Sequence, residues 1–163
     1  SGKRYVLFWL YFVLGDLQKT KEHIVWFESQ FSDDAGEPIS QLCWALSFWR
    51  MGQEAAAKRR LAQLMLTNLY MIPALIGKPQ LRHDMWHHSN YADMDYVNEI
   101  PSAILDAIEP EDIAWMRALY ESFEFKRVRK RHIEIYQLLG DTEDFSRRHQ
   151  LIREADSLLD MLA

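Results

Sequence analysis

The stretch "ALSFWRMGQEAAAKRRLAQLMLTN", Ala45 to Asn68, holds a lone glycine, Gly52, between an aromatic-rich segment and an alanine-rich one. The Ala and Leu residues that follow it rank high in helix propensity, and the Trp- and Leu-rich residues 39–51 before it read as a helix as well. A glycine inside a helix costs about 1 kcal/mol relative to alanine, whereas just past a helix end it adopts the left-handed cap conformation without strain. Gly52 is therefore expected at a turn joining a helix over 39–51 to one running from 53 to about 72.

Working outward, the same punctuation recurs as "VLGDLQKTKEH" around Gly15 and "LLGDTEDFSRR" around Gly140. Each follows an aromatic-rich apolar segment and precedes a polar-leading helix, which implies three similar hairpins. Asp16 and Asp141 are expected as N-caps directly after their glycines, and Asp144 as a negative charge in the first turn of the last helix. The stripe Leu17, Thr20, Ile24, Phe27 and Phe31 marks one amphipathic helix; it stops at "SDDAGEP", where Pro38 suits the first position of the next.

Between the second and third hairpins lies a less regular insert. "GKPQLRHDMWHHSN" is a loop signalled by Gly77 and Pro79, followed by a helix from about Tyr91 that Pro101 kinks or restarts. A further helix is expected near Pro110, with Glu111 and Asp112 in its first turn. Period-two alternation is almost absent, so the chain reads as all-α, with about eight helices in one domain over residues 1–163. The hairpins are expected at about 3–32, 38–76 and 126–163, with the helical insert at about 77–125.

Bulk composition narrows the function. A length of 163 residues with 48% hydrophobic content suffices for a buried core, and 13% aromatic residues, six of them Trp, imply large core side chains or an aromatic-lined surface. A net charge of -5 disfavours a general nucleic-acid binder. Cys43 is the single cysteine, which excludes an intrachain disulfide and any multi-cysteine metal site, and a cytoplasmic location is the natural expectation. The apolar run "YVLFWLYFVL", Tyr5 to Leu14, is about half of the roughly 20 residues that a membrane-spanning helix needs. Lys3 and Arg4 precede it as in a signal peptide, but no small-x-small cleavage site follows. The reading is therefore no membrane and no nucleic acid.

The repeated hairpin resembles the tetratricopeptide family, whose unit is helix, turn, helix. In the second hairpin Ala45, Phe48, Gly52, Ala57, Leu61 and Leu64 fall on the family's small, aromatic, turn and packing positions; Tyr11 and Gly15 align likewise in the first hairpin, and Tyr136 and Gly140 in the third. The family pattern is not met by Phe8, Phe145 or His149. "NLYMIPALIGKP" and the residues after it resemble an extension found in tetratricopeptide-like proteins. The resemblance implies a right-handed array of antiparallel hairpins, an α-α superhelix, with a concave groove lined by the first helix of each pair.

That geometry selects Trp9, Phe12, Leu46, Trp49 and Arg50 as an apolar groove segment, with Arg127, Lys130 and Gln137 as a basic one. Such a groove suits a protein or peptide partner with an apolar anchor and an acidic group. The family's carboxylate-clamp members use Lys and Asn from successive repeats, and the first two rows here supply neither. The expected function is a non-catalytic binding scaffold without cofactor. Two alternatives come from the residues themselves. In "HDMWHH", His83 and His87 would lie one turn apart if helical, with His88 near, as in a metal-assisted hydrolase. The all-apolar residues 5–14 have no face to offer water, which suggests a structural module or a homodimer through that region.

Overall fold

The protein is described here by a computed structural model covering residues 3–86 and 89–162. Among these residues there are nine α-helices, three short 3-10 helices and no strand. Helices α1 (Lys3–Leu14) and α2 (Leu17–Gln30) pack on each other, as do α3 (Pro38–Arg50) and α4 (Glu54–Thr67), and α1 also packs on α3. The insert supplies α5 (Met71–Leu75), 3-10 helices at Asn90–Ala92 and Met94–Glu99, α6 (Ser102–Ala107) and α7 (Pro110–Tyr120). The last pair is α8 (Phe123–Asp141) and α9 (Phe145–Ser157), followed by a 3-10 turn at Leu158–Met161.

Gly52 sits at φ +77°, and a Cβ placed on it would meet nothing within 4 Å. Backbone conformation, not crowding, therefore demands glycine there. The Gln53 N–H donates to the Phe48 carbonyl at 2.9 Å and the Gly52 N–H to Trp49 at 3.0 Å, the paired bonds of a Schellman cap. The same pair forms around Gly15, with Asp16 N to Tyr11 O and Gly15 N to Phe12 O both at 3.0 Å. Asp16 is the N-cap of α2, accepting from Lys19 N at 3.0 Å.

The third such cap is at Gly77, not at Gly140. Lys78 N donates to Pro73 O at 2.8 Å, and Gly77 has φ +78°. Gly140 lies inside the last turn of α8, in the ordinary helical range, and the chain reverses two residues later. Asp141 is likewise helical rather than an N-cap; Asp144 takes that role, accepting from Arg147 N at 2.7 Å. The helix expected from Tyr91 to Pro101 is two 3-10 turns, because Asp93 and Ser89 engage nearby backbone N–H groups with their side chains. Pro110 opens α7 as expected, and Asp112 accepts from Glu109 N at 2.8 Å.

The core is centred on α3, of which Pro38 to Phe48 are all buried. Phe8 stacks on Trp44 at 5.1 Å and meets Phe27 edge-on at 5.3 Å, tying α1 and α2 to it. At the N-terminus of α3 the buried Glu37 carboxylate accepts from Ser40 N at 2.9 Å, Ser40 Oγ at 2.6 Å and Trp9 Nε1 at 3.1 Å, and also from the Tyr96 hydroxyl. A carboxylate there is favoured by the helix dipole, and this one joins α1, α3 and the insert. No described helix is long and apolar enough to cross a membrane.

Candidate functional site

The insert decides which surface of the helix pairs stays open. Helices α6 and α7 pack over the side of α1 and α3 where the sequence reading placed an apolar groove. Arg50 reaches Asp112 of α7 with two of its nitrogens, Nη2 at 2.5 Å and Nε at 3.2 Å, and the Ala107 carbonyl at 2.8 Å, while its guanidinium lies 4.6 Å over the Phe12 ring. Trp49 stacks on Trp115 at 5.5 Å. Phe12 and Leu46 are 2% and 0% exposed, so both belong to the core and neither lines a groove. Trp9 is half-buried and bonded through its indole to Glu37 and Ser40. Arg127, Lys130 and Gln137 are exposed on α8, with Arg127 5.8 Å from the Phe123 ring.

A cavity of about 750 Å³ opens elsewhere, between the C-terminal end of α4, residues 82–86 and 89–94, α8 and α9. Behind its lining Asn68, 1% exposed at the end of α4, holds the lining residues Tyr70, Tyr91 and Asp93 in place. Its side-chain nitrogen donates to the carbonyls of Tyr91 at 2.7 Å and Asp93 at 2.9 Å, while its oxygen accepts from Tyr70 N at 2.9 Å and Met71 N at 3.1 Å. One amide thus fastens the insert to the hairpin. The Trp86 N–H donates to the Tyr136 carbonyl at 3.0 Å, pinning the other side of the segment to α8. Here Gly140 matters: its α-carbon faces Trp86 closely enough that an added Cβ would lie 3.9 Å from Trp86 atoms.

The walls are aromatic. Trp86 stacks on Tyr136 at 6.1 Å, Tyr136 lies 4.5 Å from His132 one turn earlier on α8, and Tyr70 stacks on His83 at 6.2 Å. Burial pushes the His132 imidazole down to about 4, so it is neutral at physiological pH and offers one nitrogen as an acceptor. Burial, followed by the charge of Asp156, raises the Tyr136 phenol and keeps it protonated. Arg148 lies 5.2 Å over the outer ring face of Trp86 and donates to the Thr142 carbonyl at 2.9 Å.

Gln41 lines the same cavity and is fully buried. Its nitrogen donates to the carbonyls of Ala35 at 3.0 Å and Gly36 at 3.5 Å, which only the N–H side of an amide can do. Its oxygen has no hydrogen-bond partner. A buried amide oxygen without a donor costs about 1–3 kcal/mol.

The described part of the histidine-rich segment, His83 to Trp86, is not helical. Residues 78–86 carry no helix, and His83 is held by its backbone N–H to the Tyr70 hydroxyl at 3.0 Å. The premise that placed His83 and His87 one helical turn apart therefore fails; His87 and His88 themselves lie outside the described residues. Among the described residues no group of three His, Cys, Asp or Glu side chains is placed to hold a metal ion. Cys43 is buried in α3, and its thiol is pushed up by burial.

Sequence reasoning missed Gln41, Asn68 and His132, because each is a lone polar residue in an apolar helical context. His132 carried the one available signal, since it takes the core position of the stripe Phe125, Val128, His132, Ile135 and Leu139. No family model, no curated protein and no solved structure matches the chain.

Proposed function

We propose that this chain is a non-catalytic binding module of tetratricopeptide-like build, a right-handed array of antiparallel hairpins whose first groove is filled by its own insert. It holds a protein or peptide partner by seating one apolar side chain in the cavity beside α8. The observation that carries this reading is the cavity itself, whose volume of about 750 Å³ falls within the range of roughly 300–1,000 Å³ typical of ligand pockets. Its lining supports recognition: aromatic walls with a few polar groups give affinity through burial and orientation through hydrogen bonds. The two aliphatic hydroxyls of the lining are used locally, Thr67 donating to the Gln63 carbonyl at 2.8 Å and Ser89 accepting from Tyr91 N at 3.2 Å.

Selection of a randomised peptide library on the wild type, with Ala155→Trp as the filled-cavity control, tests this reading. Ala155 is a half-buried lining residue, so the larger ring enters the cavity from its α9 side. Enriched peptides should share an apolar or aromatic residue and lose binding to Ala155→Trp while the variant keeps its melting temperature within a few degrees. Failure to enrich any peptide, or peptides indifferent to the substitution, contradicts it.

A second reading rests on α1. Val6, Leu7, Leu10, Val13 and Leu14 are between 38% and 73% exposed, a solvent face with no charged residue from Val6 to Leu14. We propose that a second copy of the chain covers this face, since two such uncharged faces meet without burying an unpaired ion. Sedimentation equilibrium should show a dimer that Leu10→Lys with Leu14→Lys dissociates; a wild type that is monomeric at high micromolar concentration contradicts it.

A further inference from the structure

Helix α8 turns one side to the core and a very different one to solvent. Phe125, Val128, His132, Ile135 and Leu139 are buried. On the opposite side Phe123, Lys126, Arg127 and Lys130 follow the i, i+3, i+4, i+7 spacing of one helix face, and all four are exposed, Phe123 by 77%. They occupy about 10 Å of helix length. The Arg127 guanidinium lies 5.8 Å from the Phe123 ring and donates to the Met161 carbonyl at 3.4 Å, which places Met161, itself exposed, at the edge of the same face. None of these residues lines the cavity.

The charge on this face is uncompensated. Among the described residues no carboxylate stands within ion-pair distance of Lys126, Arg127 or Lys130. The acids near them in sequence are already engaged: Glu121 by Lys78, Glu124 by Lys58 at 2.7 Å and Glu134 by Arg131 at 3.1 Å. The adjoining turn Leu158–Met161 brings one exposed carboxylate without an ion pair, Asp160. This cluster of cations stands out in a chain of net charge -5, whose residues 84–112 contain acidic residues but no Lys or Arg.

We propose that this face of α8 docks the protein on an anionic lipid surface, with Phe123 entering between the headgroups and Lys126, Arg127 and Lys130 lying in the layer of negative charge. A ring that protrudes from a helix among cations must be received by its partner, and that partner has to offer apolar depth directly beneath anions. A bilayer offers both without a matching shape, and Lys and Arg stems lie along its boundary while their heads stay in the charged layer. An acidic protein needs a pocket cut to the ring, and a long nucleic acid runs on past this face toward the acidic remainder of the chain. The shortness of residues 5–14 excludes a span there but does not bear on adsorption at a surface. The proposal stands apart from both the cavity and the α1 face.

The test is flotation of the protein with vesicles of phosphatidylcholine alone and of phosphatidylcholine carrying about 30% phosphatidylserine. The expected result is partition at least about tenfold stronger onto the anionic vesicles at about 0.1 M salt, and largely lost at about 0.5 M. Lys126→Glu with Lys130→Glu should bring the two vesicle types within about twofold of each other. Phe123→Ser should weaken binding to the anionic vesicles by about threefold or more while keeping the preference for them. All three positions are exposed and unpaired, so these variants keep their fold, which an unchanged melting temperature verifies. Leu10→Ser with Leu14→Ser, on the other exposed apolar face, should leave the preference as it is. Equal partition onto both vesicle types, no partition onto either, or a preference that survives the α8 charge reversal and vanishes with the α1 variant overturns the proposal. Tighter binding of a thymidine oligonucleotide or of poly-glutamate than of the anionic vesicles, at equal concentration of negative charge, overturns it as well and makes the partner a nucleic acid or an acidic protein.

Discussion

Two walls of this molecule are made from the same kinds of residue and end up in opposite states. Where α3 faces α6 and α7, a tryptophan pair and a buried ion pair close the surface: Trp49 on Trp115, Arg50 on Asp112. Where α4 faces α8 and residues 82–86 and 89–94, rings also line the contact, yet about 750 Å³ stays unfilled and a buried amide oxygen stays unpartnered. The difference lies in what the insert delivers to each wall. Helix α7 brings a carboxylate and an indole that match Arg50 and Trp49; the non-helical segment 82–86 brings a backbone N–H that pins it and side chains that stand around a gap. A helical-hairpin scaffold offers concave surfaces by default, and an insert can consume one while framing another.

The largest effect that would break this contrast belongs to the closed wall. Arg50→Ala leaves Asp112, 1% exposed, without its cation, and should cost about 3–5 kcal/mol in denaturant unfolding. Replacing both partners, Arg50→Met with Asp112→Leu, should recover much of that. A loss below about 1 kcal/mol for Arg50→Ala would mean that the wall is hydrated and open.

The open wall should reveal itself through pH. Burial lowers the folded His132 from the ordinary 6.5 to about 4, so the unfolded chain binds the proton first on acidification. Stability from this group is complete above about pH 6.5 and is lost as pH falls toward 4, a change of up to about 3 kcal/mol. His23 is lowered by burial in the same direction, so the wild type alone does not isolate the effect. His132→Phe should flatten the stability profile in that window relative to wild type, and an unchanged profile would place His132 in water.

A smaller effect separates two glycines that look alike in sequence. Gly52→Ala forces a left-handed alanine and should cost about 1–2 kcal/mol. Gly140→Ala should be neutral or stabilising by up to about 1 kcal/mol, because that residue is helical and the new methyl meets Trp86 at an ordinary 3.9 Å. Opposite signs from matched "LGD" and "MGQ" contexts would confirm that only one of them is a turn; a loss at Gly140 as large as at Gly52 would contradict the helix end.

What was legible in the sequence follows from the range over which each signal acts. Gly15 and Gly52 were readable because a Schellman cap is decided within six residues, and Asp16 and Pro110 because caps are decided within four. Gly140 misled because the apolar run before it resembles the others, while the segment that docks against it comes from Trp86, far away in sequence. The groove assignment to Phe12 and Leu46 assumed that nothing covers the first helices, and no local pattern announces that α6 and α7 do. Gln41 and Asn68 carry no periodic signature at all; what makes them matter is the partner each finds, or lacks, after the chain has folded.

The measurement that bears most directly on the account is fluorine NMR of the protein labelled with 5-fluorotryptophan, titrated with the tightest peptide from the library selection. The account predicts a shift of the Trp86 resonance while Trp49 and Trp115 stay in place. Movement of Trp49 and Trp115 with Trp86 unchanged would put the binding surface at the wall described here as closed, and would contradict it.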